Sequence, residues 1–228
     1  MRHFKVIILL LALLVCCQFL CAQPKPLVAA KHLTYTIVYD YSRMSPAVVF
    51  WNLDAADFSG TIKAKPKYFR MDTRLPKPRL KNDAFTFSGY QRGHLCPSGD
   101  RDSRKDWFKD TFVTSNIVPM TPECNSGAWK ETEAQCRTLA MSGHPLTIAC
   151  GPIGYQTTAI GNTFLRPHVP DSLWKIAICR VHQNEVYYWR VPNDRQFRSA
   201  KSCRTKWPNG VAINTHDITQ LIRSWVSR

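Results

Sequence analysis

Apolar and polar side chains alternate along residues 33–39, Leu-Thr-Tyr-Thr-Ile-Val-Tyr, the period of a half-buried strand. Residues 48–51, Val-Val-Phe-Trp, predict a second strand, and 112–118, Phe-Val-Thr-Ser-Asn-Ile-Val, a third. A turn marked by Pro119, Pro122, Asn125 and Gly127 follows, and then the period changes. Over 128–141, Trp129, Thr132, Cys136 and Leu139 recur at 3-4-3 spacing, which predicts a helix with those four toward the core. Glu133 and Arg137 stand at i, i+4 on another face, and Gly143 supplies a helix stop. Residues 146–150 read as a strand stopped by Gly151-Pro152, and 173–179 with 186–191 as a hairpin pair. Asp217 is positioned to cap a last helix carrying Ile218, Leu221, Ile222 and Trp225. No internal repeat is visible. Strands and helices are not regularly interleaved, so the fold class is α+β with a largely antiparallel sheet.

The N-terminus follows another logic. Arg2, His3 and Lys5 precede an apolar run over 6–15, and Ala22 stands before Gln23, the order of a secretory signal. The run is too short to span a bilayer comfortably. An uncleaved anchor is one alternative; a lipoprotein using Cys16, Cys17 or Cys21 is another, opposed by the large Val15 and Leu20. The expected organisation is a signal at 1–22, a leader at 23–32 and one domain at 33–228, secreted or periplasmic. A hydrophobic content of 44% gives this chain material for a sizeable core and argues against wholesale disorder. Lys and Arg total 31 against 16 acids, a formal charge of +15; loss of Arg2 and Lys5 with the signal leaves +13. Such an excess points to nucleic acid, an anionic membrane surface or an acidic polymer, against the plainer reading of a generic basic surface. No lipid-binding amphipathic helix or carbohydrate signature is present, so stable membrane association is not expected. Six cysteines remain after the signal: Cys96, Cys124, Cys136, Cys150, Cys179 and Cys203. An even number in an exported chain predicts disulfides, with the pairing left open. A zinc site is the rival, but there is no CxxC, and His94 with Cys96 is a poor ligand spacing.

Between 63 and 81 the chain is basic: Lys63, Lys65, Lys67, Arg70, Arg74, Lys77, Arg79 and Lys81, opposed only by Asp72. Pro66, Pro76 and Pro78 exclude a regular helix there. With Tyr68 and Phe69 interleaved, the segment suits a surface that tracks phosphates; a solvated loop is the alternative.

The chemistry concentrates in 89–97, Gly-Tyr-Gln-Arg-Gly-His-Leu-Cys-Pro. A neutral imidazole at His94 accepts a proton from water near pH 7, and Arg92 can hold phosphoryl oxygens bidentately. Gly93 between them allows a tight turn or close approach. Asn125, at the expected start of the helix, either caps it or offers an amide oxygen to Mg²⁺, a hard cation that keeps several waters. Glu133, two turns on, either hydrogen-bonds a metal-bound water or pairs with Arg137.

Taken together, these residues resemble the DNA/RNA non-specific endonucleases of the ββα-metal type, which include secreted bacterial nucleases and endonuclease G. That family's hallmark is Asp-Arg-Gly-His, then an Asn starting a helix and a Glu eight positions later. Here the matching residues are Gln91-Arg92-Gly93-His94, Asn125 and Glu133, with Arg137 beyond. Residues 67–72, Lys-Tyr-Phe-Arg-Met-Asp, match the family's upstream Arg–aromatic–Asp stretch, and 147–152 its strand ending in Gly-Pro. The resemblance runs from about residue 34 to 222. It departs at Gln91, where the family has Asp, and at Lys67, where an Arg is usual and Arg70 is close enough to substitute. It implies a ββα-metal fold with flanking helices. It also implies Mg²⁺ (or Mn²⁺) on Asn125, waters and phosphate, with His94 deprotonating the attacking water. Arg92 and Arg137, with Lys67 or Arg70, clamp phosphates, and Gln91 sits at the substrate. The expected activity is cleavage of DNA and RNA to 5′-phosphate and 3′-hydroxyl ends. The alternative is a catalytically impaired nucleic-acid-binding protein on the same fold, against which the retention of His94, Asn125 and Glu133 argues. Nothing in the sequence fixes the oligomeric state.

Overall fold

The structure is a computed structural model. It describes residues 27–206 except 63, 65, 158, 162, 183 and 184. The signal at 1–22 and the helix expected from Asp217 lie outside the described residues.

The alternating apolar segments assemble as one antiparallel sheet. Strands β1 (Leu27–Lys31), β2 (Tyr35–Asp40) and β3 (Ser45–Leu53) form a meander at one end. A short ribbon, β4 (Gln91–His94) with β5 (Ile117–Met120), stands apart. β6 (Leu146–Ile153), β7 (Ser172–Cys179) and β8 (Val186–Pro192) complete the large sheet in the order β1-β2-β3-β6-β7-β8. Every pairing is antiparallel. The helices are short: α1 (Lys105–Asp110), α2 (Pro122–Cys124), α3 (Lys130–Met141) and α4 (Ala200–Cys203). The expected α+β class with a largely antiparallel sheet is what forms.

Because side chains alternate across a strand, β2, β3, β6 and β7 bury residues on both faces. Ile37, Val49, Trp51, Ile148 and Leu173 face the main core, where they meet Leu95, Ile117, Met120, Trp129 and Cys136 from the ribbon and helices. Val38, Val48, Ala149, Ile176 and Ile178 form a smaller cluster on the opposite face. The site is built on the main-core side, where the ribbon and α3 pack.

Several expectations change. Residues 27–31, within the expected leader, form β1, paired along its length with β2. The run 112–118 is not one strand. Val113 bridges Arg70 in parallel, Thr114–Asn116 turn as a 3₁₀ helix, and only then does β5 begin. The cause is Asn116, whose buried amide accepts from the Cys96 N–H at 2.9 Å and donates to the Cys96 and Thr111 carbonyls at 2.9 and 3.1 Å. A side chain there replaces a ladder partner and bends the chain. Gly151 and Pro152 do not stop β6; they pair with Trp174 and Leu173 of β7. A side chain at Gly151 would lie 2.3 Å from the Ala47 carbonyl, so glycine marks close strand approach there.

The six cysteines Cys96, Cys124, Cys136, Cys150, Cys179 and Cys203 are all buried free thiols, and the expected disulfides are not present among them. They pack as small apolar core residues. Among the described residues no helix is long and apolar enough to cross a membrane.

Candidate active site

Three elements converge: the ribbon strand β4, the basic segment 66–81 and the helical run that ends in α3. β4 carries Gln91, Arg92 and His94. The helical run starts at Thr121, whose hydroxyl accepts from the Cys124 N–H at 3.1 Å, with Pro122 in the first position. Thr121, not Asn125, is therefore the cap. Asn125 has helical dihedrals and opens a π-type turn, Asn125–Trp129, broken at Gly127 (φ −96, ψ −119) before α3. Such bulges often accompany functional sites, because the extra residue re-aims neighbouring side chains.

The turn is tied to the ribbon twice. Asn125 Nδ2 donates to Gln91 Oε1 at 2.7 Å, and the Trp129 indole donates to the His94 carbonyl at 2.9 Å. The first bond orients the Asn125 amide with its nitrogen on Gln91, so its oxygen points elsewhere. The second fixes the backbone that carries the imidazole. The His94 ring is walled by Phe69 at 5.2 Å and Phe112 at 4.9 Å between ring centres. Phe69 arrives because Arg70 N–H bonds the Phe112 carbonyl at 2.9 Å and Thr114 N–H bonds the Arg70 carbonyl at 2.9 Å. That bridge also brings Lys67 and Arg70 to an open cleft of about 730 Å³, shared with Tyr68, Arg74 and Lys109. The cleft's lining does not include His94, Asn125 or Glu133.

Beneath the helix lies a charged layer. Glu133 is half-buried, and burial pushes its carboxyl up to about 7, with Lys175 the strongest opposing influence. The Glu133–Arg137 pair is not formed. Arg137 Nη1 instead bonds buried Asp100 at 2.8 Å, and Trp51 Nε1 donates to the same carboxylate at 3.1 Å. Burial raises Asp100 too, despite the guanidinium. Lys175 is 1% exposed; its Nζ stands 4.0 Å from the Trp129 ring centre and makes no hydrogen bond among the described residues. Arg92 spends its guanidinium on the Asn82 carbonyl at 3.0 Å and the Thr86 hydroxyl at 3.1 Å.

The structure thus joins Gln91, Asn125, Trp129 and His94, and lays the basic segment alongside. Arg137 is paired with Asp100. Sequence reasoning missed Asp100, Lys175, Phe112 and the indole of Trp129. Only Lys175 left a signal, as a lone charge in the apolar run 173–178.

No group of three or more His, Cys, Asp or Glu able to hold a metal exists among the described residues, so a closed cage is not on offer. An oriented Asn125 amide, with Glu133 eight residues on along the same helical run, suits instead a hard, hydrated cation such as Mg²⁺, which needs few protein ligands.

A family description, "DNA/RNA non-specific endonuclease", matches residues 21–216. A nuclease of Nostoc sp. is 33% identical over 146 residues, 63% of this chain and 52% of that protein. The mitochondrial nuclease EXOG of Xenopus laevis is 30% identical over 131 residues, 57% of this chain and 37% of its own. Human mitochondrial endonuclease G is 30% identical over 126 residues, covering 50% and 42%. The chain thus spans about half or less of these relatives' lengths. The solved structure of an EndoG/EndoGI complex superposes with TM-score 0.67 at 23% identity, over 81% of this chain and 82% of the other, which establishes a shared fold. On the family match across most of its length, the chain belongs to the DNA/RNA non-specific endonuclease family.

Proposed function

We propose that this protein is an exported, metal-dependent endonuclease that hydrolyses DNA and RNA without sequence preference. The hydrogen bond from Asn125 to Gln91 carries the reading. Gln91 lies three residues before His94 on the same strand, so this contact sets the ligand amide beside the strand that bears the base.

In this reading His94 takes a proton from the attacking water, its ring held by Phe69 and Phe112 and its backbone by Trp129. Asn125 presents its amide oxygen, and Glu133, when ionised, accepts a hydrogen bond from an ordered water. Mg²⁺ held there would supply Lewis-acid stabilisation of charge on phosphorus and on the leaving oxygen. Water attacks phosphorus and the bond to O3′ breaks, which leaves 5′-phosphate and 3′-hydroxyl ends. Lys67 and Arg70 contact phosphates, and backbone contacts carry no sequence information. Export rests on the signal-like residues 1–22; a secreted product starting near Gln23 is the expected form.

The test is degradation of plasmid DNA and of RNA by the purified protein, with and without EDTA. Cleavage is expected with Mg²⁺ and not with EDTA. His94→Ala should lower the rate about 10²–10⁴-fold. Asn125→Ala should raise the Mg²⁺ midpoint as well. Wild-type turnover by a folded His94→Ala protein sinks the mechanism.

A further inference from the structure

Exposed apolar side chains scattered singly need no explanation. The exposed aromatics here are not scattered. Among the described residues they are Tyr68 (59%), Phe87 (102%), Phe164 (99%) and Phe197 (74%), all in loops. Tyr68 precedes Phe69, the wall of His94, and lies 5.2 Å under the Lys67 ammonium. Phe87 follows Thr86, which receives the Arg92 guanidinium, and stands four residues before Gln91. Its backbone is left-handed (φ 55), a conformation that costs a bulky residue energy, yet the ring is fully exposed rather than buried. Phe197 packs over the π-type turn: a side chain at Gly127, two residues from Asn125, would meet its ring at 3.5 Å and the Arg198 carbonyl at 3.3 Å. The same loop reaches the Phe87 loop, since a side chain at Gly89 would lie 4.0 Å from the Arg195 guanidinium. Phe164 shares a cleft with Arg79 and Lys81, beside the Asn82–Phe85 turn that accepts Arg92.

Each exposed ring therefore has a cation near it in space or sequence, and Tyr68, Phe87 and Phe197 stand on loops that adjoin the wall of His94, the strand Gln91–His94 and the turn of Asn125. Rings give unpaired bases a face to stack on while cations hold the phosphates, the combination by which proteins grip single strands without reading sequence. Bases inside a duplex are already stacked on each other and leave such rings unused. We propose that these phenylalanines are stacking sites for unpaired bases, and that the preferred substrate is single-stranded nucleic acid. The inference rests on the nuclease reading above and narrows its substrate.

The experiment compares kcat and KM on one fluorescent oligonucleotide, single-stranded or annealed, for the wild type, the Phe87→Ala/Phe197→Ala pair and the Phe87→Trp/Phe197→Trp pair. The wild type is expected to favour the single strand. The alanine pair should raise KM on the single strand about tenfold or more. That loss should exceed the loss on the duplex at least about fivefold, and the tryptophan pair should restore it. Equal losses on both forms, or none, would overturn the proposal; so would full activity in the alanine pair, which would leave the rings to a protein partner. A wild type that cuts neither form refutes the nuclease reading instead. Binding of oligo(dT) in EDTA then decides the stacking question: unchanged affinity in the alanine pair overturns it, and a loss of about tenfold supports it.

Discussion

At the scale of single residues, Gln91 is where the chain departs from the family motif, and the structure gives the departure a use. Its side-chain carbonyl accepts from Asn125 at 2.7 Å, a contact an aspartate oxygen can also make. Gln91→Asp should therefore keep activity within about tenfold, a barrier change of roughly 1.4 kcal/mol. Gln91→Leu, of similar size but without an acceptor, should lower both the rate and the apparent Mg²⁺ affinity. A Mg²⁺ titration on the two variants decides it, and equal midpoints would mean that the contact orients nothing. Glu133 offers a different test. Its carboxyl is raised from 4.5 to about 7 by burial, so the folded state holds a proton that the unfolded state has released. Stability from this group is fully present below about pH 4.5 and is lost as pH rises through about 7. Glu133→Gln should then melt higher than wild type at pH 8, on the order of 1–2 kcal/mol after solvent screening, and equally at pH 4, while cutting more slowly. Thermal melts at the two pH values check the sign.

At the scale of elements, a buried cluster ties the β1–β2 turn to the basic segment. His32 lies between two carboxylates, Nε2 to Asp72 at 3.0 Å and Nδ1 to Asp110 at 3.3 Å. Ser115 donates to Asp72 at 2.6 Å, and Arg74 pairs with Asp110 at 3.1 Å. Burial works against the charged imidazole, but the bonds to Asp110 and Asp72 outweigh it and raise its pKa. The histidine's contribution is present below 6.5 and is lost as pH climbs through the raised value. The carboxylates, held low by His32 despite burial, lose theirs as pH falls below 3.8. His32→Ala leaves two buried carboxylates facing each other and should cost about 3–5 kcal/mol in urea unfolding. Because the cluster holds residues 72–74, it should also loosen Lys67 and Arg70 and weaken nucleic-acid binding. A variant as stable as wild type would remove the cluster from the account of how the basic segment is placed.

At the scale of the whole molecule, charge and thiols make two separable statements. With a formal +15 on the chain, binding to nucleic acid should weaken steeply with salt, each phosphate contact adding about −0.9 to the slope of log K against log salt. Replacing Lys67 and Arg70 together should flatten that slope by up to about two contacts' worth. The six core cysteines are buried, and burial pushes the thiols of Cys96, Cys124 and Cys136 up to about 12. They should resist a thiol reagent in the native protein and react, all six, after denaturation without reductant. Fewer reactive thiols in the secreted product would show that disulfides form on export.

What the sequence determined by itself was local or order-dependent. The periods of 33–39, 146–150, 173–179 and 186–191 were legible because burial on a sheet face dictates alternation or continuous apolar runs along one segment. The motif 91–94, with Asn125 and Glu133 in fixed order behind it, was legible because spacing survives in one dimension. Which of two roles a residue takes was not legible. Thr121 removes Asn125 from the cap, and Asp100 takes Arg137 from Glu133; both outcomes depend on partners 4 and 37 residues away. The break in 112–118 depends on what Asn116 reaches across the chain, and the place of Gly151-Pro152 inside a strand on how near residue 47 comes. Lys175, His32 and the four exposed rings have no periodic signature at all. Their meaning comes from what surrounds them, and that proximity is a property of the folded chain alone.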